Sequence, residues 1–355
     1  MDEAISVKNN VCYFYVGAIN PLNSIRIQIE RFSLVIESLY RYRCIVIHPG
    51  VDNFRKKLYY IIKSKELLFW HFGGLDFDLY PFTKYDNVYF VYHNITPANF
   101  FWRYDPLVSL RSILGRLQLR VLNKNNKWIA VSSYNALELT RIGFQDVLLL
   151  PNILSNPDLR LLEKHKSKIP TLIFVGRISP SKGCVELINN VKKLVSLRKS
   201  KVRLYVVGEV KKGCKYGKKF AKAINDLTTE EFIEIHWLQN LADDNLNSLY
   251  AESWLYVSMS EHEGFGLPAC ESILYNTPAI YLSSGGQESV LNNLGLVDCS
   301  NEAKFVQSVN TYLNESVLRK ELLVAQKSEI LAYVAINYMD AYKKILDRIF
   351  ISERL

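Results

Sequence analysis

Two series of short apolar segments, each interrupted by amphipathic segments, constrain the fold of this chain more than any other feature. In the first half, the predicted strands cover residues 11–19, 44–48, 67–71, 88–93, 128–132 and 147–150. Helical periodicity fills the intervals between them, for example over residues 25–40 and 107–122. Strands that are apolar on both faces and alternate with helices predict a parallel sheet covered by helices on both sides.

The same alternation begins again in the second half. Predicted strands cover residues 172–177, 204–208, 233–238, 255–258 and 279–282, and the chain from about residue 305 is predicted to be helical. The polar stretch 152–170 separates the two series, and 355 residues suit two domains. We therefore predict an α/β fold of two Rossmann-like, doubly wound domains that face a central cleft. The expected domains are 1–155 and 156–335, with a helix at 336–355 packing back on the first domain.

The densest group of functional side chains directly follows the predicted strand 255–258. It is the segment Ser-Glu-His-Glu-Gly-Phe-Gly-Leu-Pro-Ala-Cys-Glu over residues 260–271. Its glycines, Gly264 and Gly266, allow the backbone to turn tightly and to approach a ligand closely. We expect a helix to start at Pro268, with Glu271 in its first turn and free N–H groups directed at an anion. Glu263 and Glu271 suit sugar or ribose hydroxyls, although Glu271 alone could simply stabilise the helix start.

A second group follows the first predicted strand of the second domain. It is the segment Gly-Arg-Ile-Ser-Pro-Ser-Lys-Gly over residues 176–183. The planar guanidinium of Arg177 and the mobile ammonium of Lys182 suit a diphosphate, although each could also be a solvated surface charge. Preorganised cations stabilise the charge that develops when a sugar–phosphate bond breaks. With these two cations in place we expect no metal ion and no cofactor.

Together these segments resemble glycosyltransferase family 4, whose members are retaining enzymes with the GT-B fold. The resemblance spans most of residues 170–298: Val-Gly-Arg-x4-Lys-Gly, a glycine after the next strand at 208, Glu-x7-Glu, and Gly-Gly-Gln-Glu at 285–288. It implies that Arg177 and Lys182 hold the diphosphate of a nucleotide-sugar donor. It also implies that Glu263 binds the donor sugar and that Glu271 holds the ribose. The backbone amides expected to meet the sugar and phosphate belong to Gly264, Phe265, Gly266 and Leu267.

Three residues of the first half enter through the same resemblance. The segment Tyr-His-Asn-Ile-Thr-Pro over residues 92–97 resembles the histidine motif of a bacterial surface-polysaccharide branch, which implies that His93 contacts the donor sugar. Asn152 resembles the Pro-Asn turn at the domain junction, or is simply a turn residue. The first loop reads Gly-Ala-Ile-Asn-Pro, so only Gly17 corresponds to the paired glycines of the family. For His71 we expect a packed histidine rather than an acceptor contact.

Other potential metal or disulfide signals have a plainer interpretation. Asp76 and Asp78 form an Asp-x-Asp pair of the kind that binds Mg²⁺ or Mn²⁺ elsewhere, but they lie far in sequence from the predicted phosphate cations. The six cysteines are scattered without a C-x-x-C pair and are predicted to be reduced thiols. Glu288 follows a Gly-Gly turn, so a ligand contact and a role at a helix start stay open for it.

The net charge of +9 favours an anionic partner without naming it. In residues 107–122 an apolar stripe (Leu107, Leu110, Leu114, Leu117, Val121) lies opposite three arginines (Arg111, Arg116, Arg120). We weigh two interpretations equally: a helix with a buried apolar face and a solvated basic face, or contact between that basic face and an anionic membrane. No apolar run is long enough to span a bilayer, and the acidic start lacks a signal peptide.

The sequence therefore predicts a retaining glycosyltransferase that moves a mannose-, rhamnose- or glucose-like hexose from a GDP or UDP sugar. The resemblance implies a saccharide acceptor, and the expected one is lipid-linked and belongs to the synthesis of a bacterial O-antigen, capsule or exopolysaccharide. The expected location is the cytoplasm or the cytoplasmic face of the inner membrane. A GT-B epimerase or phosphorylase is the enzymatic alternative. A nucleotide- or nucleic acid-binding module is the other, although no nucleic-acid signature is present and the basic groups are dispersed.

Overall fold

The computed structural model describes residues 10–17, 24–154, 156–282, 285–297, 302–331 and 338–350. The chain divides into two compact units. The first comprises Met1–Ile95, Arg111–Ile153 and Met339–Leu355, and the second comprises Thr96–Leu110 and Leu154–Tyr338. Neither unit is therefore one continuous stretch of sequence.

The first unit is built on a six-stranded parallel sheet. Its strands are β1 (Val11–Val16), β2 (Arg43–Ile47), β3 (Leu67–Phe72), β4 (Val88–Tyr92), β5 (Lys127–Ala130) and β6 (Leu148–Leu149). The helices between them are α1 (Ser24–Tyr40), α2 (Phe54–Lys63), α3 (Pro106–Val121) and α4 (Ser133–Arg141). The strand order is β2-β1-β3-β4-β5-β6. The order reverses between β1 and β3, so the loops that follow these two strands leave the same edge of the sheet side by side.

The second unit repeats this plan. Its strands are β7 (Thr171–Val175), β8 (Val202–Val207), β9 (Ile233–Leu238), β10 (Leu255–Ser258), β11 (Ala279–Leu282) and β12 (Leu296–Val297). Its helices are α5 (Leu159–Leu162), α6 (Cys184–Arg198), α7 (Lys215–Thr228), α8 (Asp243–Glu252), α9 (Leu267–Leu274), α10 (Gly286–Leu291), α11 (Glu302–Asn314) and α12 (Ser316–Leu331). The strand order is β12-β11-β10-β7-β8-β9, which reverses between β7 and β10. Ligands of such sheets bind where the order reverses.

The predicted fold class is confirmed: both halves are parallel α/β sheets with helices between the strands. The strands β9, β10 and β11 have the predicted ends. The strands β10 and β11 lie inside the sheet and are buried throughout, whereas β9 is an edge strand of intermediate burial. Several other strands end up to three residues before the predicted position, as β1 does at Val16. The two-residue strand β12 was not predicted, since two residues carry no recognisable pattern.

The interior of each unit is apolar and rich in aromatic residues. In the first unit Trp70 and Trp128 are fully buried on β3 and β5, together with Phe90 on the strand between them. In the second unit the helix α6 packs its apolar face onto β7 and β8, where Leu172 and Leu204 are fully buried. Burial of this kind contributes about 25 cal/mol per Å² of apolar surface, so the loops at the strand ends rest on rigid supports.

The orientation of α3 corrects one expectation. The stripe expected to be buried is exposed in the structure, with Leu107 at 56%, Leu117 at 50% and Val121 at 73% exposure. The face that packs inward carries small or short residues, among them Ser112 and Gly115. A Cβ atom on Gly115 would lie 2.7 Å from the backbone nitrogen of Leu75, so the helix approaches the neighbouring chain more closely than a larger side chain permits.

The helix α13 (Tyr338–Phe350) lies in the first unit. The hydroxyl of Tyr40 donates to Asp347 at 2.7 Å, and the ring of Phe350 stacks on that of Tyr40 with centroids 4.7 Å apart. These contacts tie α13 to the end of α1. Across the described part of the chain, none of the helices combines the length and the apolar character that a bilayer crossing requires.

Residues 96–110, although they follow β4 of the first sheet, belong to the second unit. The ring of Tyr104 meets that of Tyr216 on α7 edge-on, with centroids 5.0 Å apart. The next residue, Asp105, forms an ion pair with Lys211. This segment is thus part of the surface that covers the core between α6 and α7.

Candidate functional site

The loop after β7 is held in place by one glycine. Gly183 has a left-handed backbone (φ 58°) and caps the start of α6. A Cβ atom at this position would lie 2.2 Å from the carbonyl oxygen of Met259, so only glycine fits against the end of β10. The preceding residue, Lys182, therefore projects from a turn that is fixed against the loop after β10.

The loops after β7 and β10 are joined by a backbone hydrogen bond and an ion pair. The amide of Glu261 donates to the carbonyl of Ser181 at 3.0 Å. The Nζ atom of Lys182 lies 2.5 Å from Oε1 of Glu263, and the two side chains are only 18% and 12% exposed. The structure thus brings two predicted site residues into direct contact at the position where the strand order reverses. A charge pair this poorly solvated is held in one geometry more firmly than a surface pair.

The loop before α10 also contacts the loop after β10. The amide of Gly286 donates to the carbonyl of Glu263 at 2.9 Å, and a Cβ atom on Gly286 would lie 2.2 Å from the carbonyl oxygen of Gly264. Oε1 of Glu288 accepts a hydrogen bond from the amide of Gly285 at 3.0 Å. That contact belongs to the start of α10, which favours the structural role for Glu288.

The helix α9 begins one residue earlier than expected, at Leu267, with Pro268 in its first turn and Gly266 (φ 90°) as its N-cap. Glu271 is consequently in the second turn rather than the first, and it is partly buried. The ring of Phe265 is 3% exposed and packs in the core. Its backbone, with those of Gly264 and Gly266, forms the approach to the helix start, where the helix dipole favours an anion.

Gln287 is a further candidate, to which the sequence gave no role of its own although it lies in the Gly-Gly-Gln-Glu segment. Its side chain is 1% exposed, and its Nε2 atom has no hydrogen-bond partner among the described residues. A Cβ atom on Gly266 would lie 2.7 Å from Cγ of Gln287, so the buried amide lies directly behind the glycine loop. An unsatisfied buried donor next to a predicted ligand site is a candidate ligand contact.

Arg177 is exposed, at the exit of β7, whereas Lys182 is largely buried. The backbone of Arg177 lies where β7 and β8 converge: a Cβ atom on Gly208 would lie 1.9 Å from the carbonyl oxygen of the preceding residue, Gly176. The exposed guanidinium can therefore reach a ligand without displacing a partner in the core. Arg177, Lys182, Glu263 and Glu271 all belong to the second unit, on the loops and helix starts that follow β7 and β10.

In the first unit, His93 follows β4 and meets His71 on β3. The Nε2 atom of His93 lies 2.7 Å from Nδ1 of His71, and the two rings stack with centroids 4.9 Å apart. Burial lowers the pKa of His93 to about 3 and lowers that of His71 well below its usual value. Both rings are therefore neutral near pH 7, and the expectation of a packed histidine at position 71 agrees with its 5% exposure.

A network of polar side chains fixes the loop that carries His93. Asn94 has a left-handed backbone (φ 74°), and its amide donates to Asn135 at 2.8 Å. Arg116 of α3 donates to the carbonyl of Ile95 at 2.7 Å and also pairs with Glu138 of α4. Arg116 is thus engaged inside the unit rather than belonging to a solvated basic face.

The remaining predicted positions, Gly17 and Asn152, also belong to the first unit. Gly17 is exposed, and a Cβ atom on it would lie 3.3 Å from Oδ2 of Asp76. Asp76 accepts from the indole of Trp70 at 3.0 Å, while Asp78 pairs with Arg55. Asn152 is buried, in a turn whose next residue, Ile153, exchanges hydrogen bonds with Gln28 of α1.

The two carboxylates of the Asp-x-Asp pair therefore serve protein contacts. No group of three potential metal-ligating side chains occurs within the described ranges. The five described cysteines are free thiols, and Cys299 lies outside the described residues. Residues 18–20, which complete the first loop, also lie outside them.

In sequence, this chain is similar to glycosyltransferases. Residues 158–328, just under half of the chain, match the family model described as glycosyl transferases group 1. Over 176 residues the chain is 26% identical to the serotype-specific mannosyltransferase WbdA of Escherichia coli. That alignment covers 50% of this chain and 21% of WbdA, so the chain spans about a fifth of the length of the curated relatives it matches. The second unit is therefore similar in sequence to glycosyl transferases group 1.

Solved structures support the fold of the whole chain. WaaG, a glycosyltransferase involved in lipopolysaccharide biosynthesis, has a TM-score of 0.66 and 14% identity, with 95% of this chain and 99% of that chain covered. Staphylococcus aureus TarM, in a complex that contains UDP, has a TM-score of 0.62 and 18% identity, with 82% and 58% covered. The fold is that of the GT-B glycosyltransferases, as the sequence predicted.

Proposed function

We propose that this chain is a retaining glycosyltransferase that moves a hexose from a nucleotide diphosphate-sugar to a saccharide acceptor. The observation that carries the proposal is the contact of Lys182 with Glu263, where the strand order of the second sheet reverses. A cation and a carboxylate held together there suit the two halves of one ligand, a phosphate and a sugar hydroxyl. The match to glycosyl transferases group 1 covers the same loops.

Each part of the donor then has its own contact. Arg177 and Lys182 would hold the diphosphate, with the start of α9 and the backbone amides of residues 264–267 facing the phosphate and sugar. Glu263 would accept hydrogen bonds from sugar hydroxyls, and Glu271 would hold the ribose. These roles follow the family resemblance, and TarM, a structural neighbour, was solved with UDP.

The proposed chemistry proceeds on one face of the sugar. The acceptor oxygen forms its bond to the anomeric carbon as the bond from that carbon to the diphosphate oxygen breaks, and the hydroxyl proton passes to a diphosphate oxygen. Retention follows because attack and departure share a face. Arg177 and Lys182 stabilise the charge on the leaving diphosphate, and we propose that no metal ion takes part. Such preorganised donors typically contribute 10²–10³-fold each to the rate.

His93 is the proposed contribution of the first unit. Its ring is neutral near pH 7 and is fixed by His71, so it can donate a hydrogen bond to a sugar hydroxyl without carrying charge. Gly17 and Asn152 are carried only by the resemblance, as parts of the first loop and of the domain junction. We propose a lipid-linked saccharide of a bacterial surface polysaccharide as the acceptor. The proposal is supported by WaaG, a structural neighbour described as involved in lipopolysaccharide biosynthesis, and by WbdA, described as a serotype-specific mannosyltransferase.

Ligand-induced stabilisation and product analysis test this function. A thermal-shift screen of UDP, GDP, CDP and ADP sugars identifies the donor, since a ligand at 100 times its Kd stabilises by about 2.7 kcal/mol. The matching donor is then incubated with and without acceptor or phosphate. Transfer only with a saccharide acceptor supports the proposal, whereas conversion of the donor without an acceptor indicates an epimerase, and a phosphate-dependent product indicates a phosphorylase.

A further inference from the structure

The outer face of α3 is an apolar stripe bordered by arginines. Its exposed apolar side chains follow helical spacing: Leu107, Leu110, Ile113, Leu114, Leu117 and Val121. At 100° per residue these side chains cover one side of the helix, and the exposed Arg111 and Arg120 lie on its two borders. We call this set the α3 stripe. Six large apolar side chains on one exposed helix face form a contiguous patch of the kind that marks an interaction surface.

The helix cannot turn this stripe inward. Its opposite face is committed to the unit by Gly115, which approaches the backbone of Leu75, and by Arg116, which holds the carbonyl of Ile95. Gln118 adds two hydrogen bonds to the backbone of Asp76, one at its N–H (3.0 Å) and one at its carbonyl (2.5 Å). The next residue, Phe77, is 84% exposed. The loop that α3 holds thus places one more apolar ring in solvent beside the helix.

A basic cavity borders the stripe. It has a volume of about 260 Å³, lies between α3 and α4, and is lined by three arginines, Arg116, Arg120 and Arg141, with one carboxylate, Glu138. Because Glu138 is paired with Arg116, the positive charge of the cavity exceeds the negative. Arg120 belongs to both features, as it lines the cavity and borders the stripe.

We propose that the α3 stripe docks on a membrane surface that contains anionic phospholipid, with a lipid phosphate received by the cavity between α3 and α4. The inference deepens the proposed function and rests on it in one respect, that the acceptor is lipid-linked. A helix with an apolar side and flanking cations lies in the interface of a bilayer, its apolar side chains among the acyl chains. The stripe and the cavity together carry four arginines, Arg111, Arg116, Arg120 and Arg141, against one carboxylate, Glu138, and this excess of positive charge suits an anionic surface. Two copies of this face would instead bring like charges together.

Flotation with lipid vesicles tests the proposal without depending on catalysis. The full chain is mixed with vesicles of phosphatidylcholine alone and with vesicles of phosphatidylcholine and phosphatidylglycerol, an anionic phospholipid that attracts basic segments. We expect flotation with the anionic vesicles and a partition coefficient that falls steeply with salt. The double variant Arg111→Gln/Arg120→Gln should lower it about 30-fold, since each cation near the surface contributes about fivefold. Leu114→Ser/Leu117→Ser should lower it at least tenfold.

Matched variants in the second unit control for a general loss of charge or apolar surface. Lys218→Gln/Lys219→Gln removes two exposed cations of α7, and Leu197→Ser/Val324→Ser removes two exposed apolar side chains. Both should float like the wild type.

Equal loss in stripe and control variants, or no flotation of the wild type, overturns the proposal. A dimer in solution that Leu117→Ser converts to a monomer overturns it as well, in favour of an interface between copies. Transfer to a water-soluble acceptor should be unchanged in the stripe variants, so failure of docking and failure of the enzymatic function are separate results.

Discussion

The ring nitrogens of His71 and His93 share one hydrogen bond, with Nδ1 of the first 2.7 Å from Nε2 of the second. The other nitrogen of His71, Nε2, is buried and has no partner among the described residues. An orphaned N–H is rarer in a protein interior than an orphaned lone pair. The proton of His71 is therefore assigned to Nδ1, which donates to His93. His93 then carries its own proton on Nδ1, the nitrogen that it can offer to a ligand.

This pair makes stability depend on pH. In the folded chain the pKa of His93 is lowered to about 3 and that of His71 is lowered as well, whereas an unfolded histidine titrates near 6.5. Below about pH 6.5 the unfolded chain binds protons that the folded chain does not. The contribution of the two histidines to the free energy of unfolding is therefore fully present above that pH, and it falls as the pH is lowered toward 3. Each histidine contributes a slope of up to about 1.4 kcal/mol per pH unit.

Urea unfolding at pH 7.5 and 5.5 measures this slope. The variant His93→Gln should lose less stability between the two pH values than the wild type, by about 1.4 kcal/mol. His165→Gln, which removes an exposed histidine, serves as the control and should behave like the wild type. Identical pH dependence in the wild type and His93→Gln would contradict the buried neutral pair.

The ion pair of Lys182 and Glu263 should be essential for transfer. We expect Lys182→Ala and Glu263→Gln each to lower kcat/KM by about 10²–10³-fold, because each removes a charge aimed at the reacting diphosphate-sugar. The control is Lys192→Ala, which breaks the ion pair with Glu230 on the surface of the same unit and should leave transfer unchanged. Initial rates measure transfer, and circular dichroism checks that each variant is folded. Near-normal rates in both site variants would remove these residues from the mechanism.

Gly183 should tolerate no side chain, for a reason beyond its backbone angle. Gly183→Ala and Gly213→Ala both place alanine at a left-handed position, with φ of 58° and 73°. Only at Gly183 does the new Cβ atom meet a carbonyl oxygen, at 2.2 Å, whereas nothing lies within 4 Å at Gly213. We expect Gly183→Ala to be less stable than Gly213→Ala by roughly 2 kcal/mol in denaturant unfolding and to lose transfer activity. Equal stability of the two would show that the loops after β7 and β10 can separate freely.

Gln287 offers a test in which stability and affinity should change in opposite directions. Replacing it with Leu removes a buried amide whose Nε2 has no protein partner, so the folded chain should be as stable as the wild type or about 1 kcal/mol more stable. If the amide meets the donor, the KM for the donor should rise about tenfold, the effect of one lost hydrogen bond in a buried site. A stable variant with an unchanged KM would leave Gln287 a packing residue only.

The two halves of the fold could be predicted because the buried strands of a parallel sheet are apolar and alternate with helices, a pattern that is visible in the sequence. Strands such as β10 and β11 are buried on both sides, so their residues are predominantly apolar and their ends are sharp. The identity of the site loops was predictable for a related reason. Once β7 and β10 are recognised as neighbours at the reversal of strand order, Lys182 and Glu263 must leave the sheet side by side.

What the sequence could not supply depended on close packing between segments distant in the chain. The periodicity of α3 showed an apolar face but not its direction, which is set by the contact of Gly115 with Leu75. The burial of Gln287 arises from the contact with Gly266 across two loops, and a lone glutamine gives no signal of this in advance. The pairing of His71 with His93 likewise follows from the adjacency of β3 and β4 rather than from either motif.

The segment 96–110 has a practical consequence for anyone dividing this protein into parts. A fragment beginning after residue 153 would contain every strand of the second sheet, and yet it would lack the ring of Tyr104 that covers Tyr216 and the carboxylate that neutralises Lys211. The second unit is thus completed by a segment that ends about 60 residues before its first strand, β7. A single cut after residue 153 would separate segment 96–110 from the rest of the second unit. Two overlapping fragments should therefore be co-expressed instead.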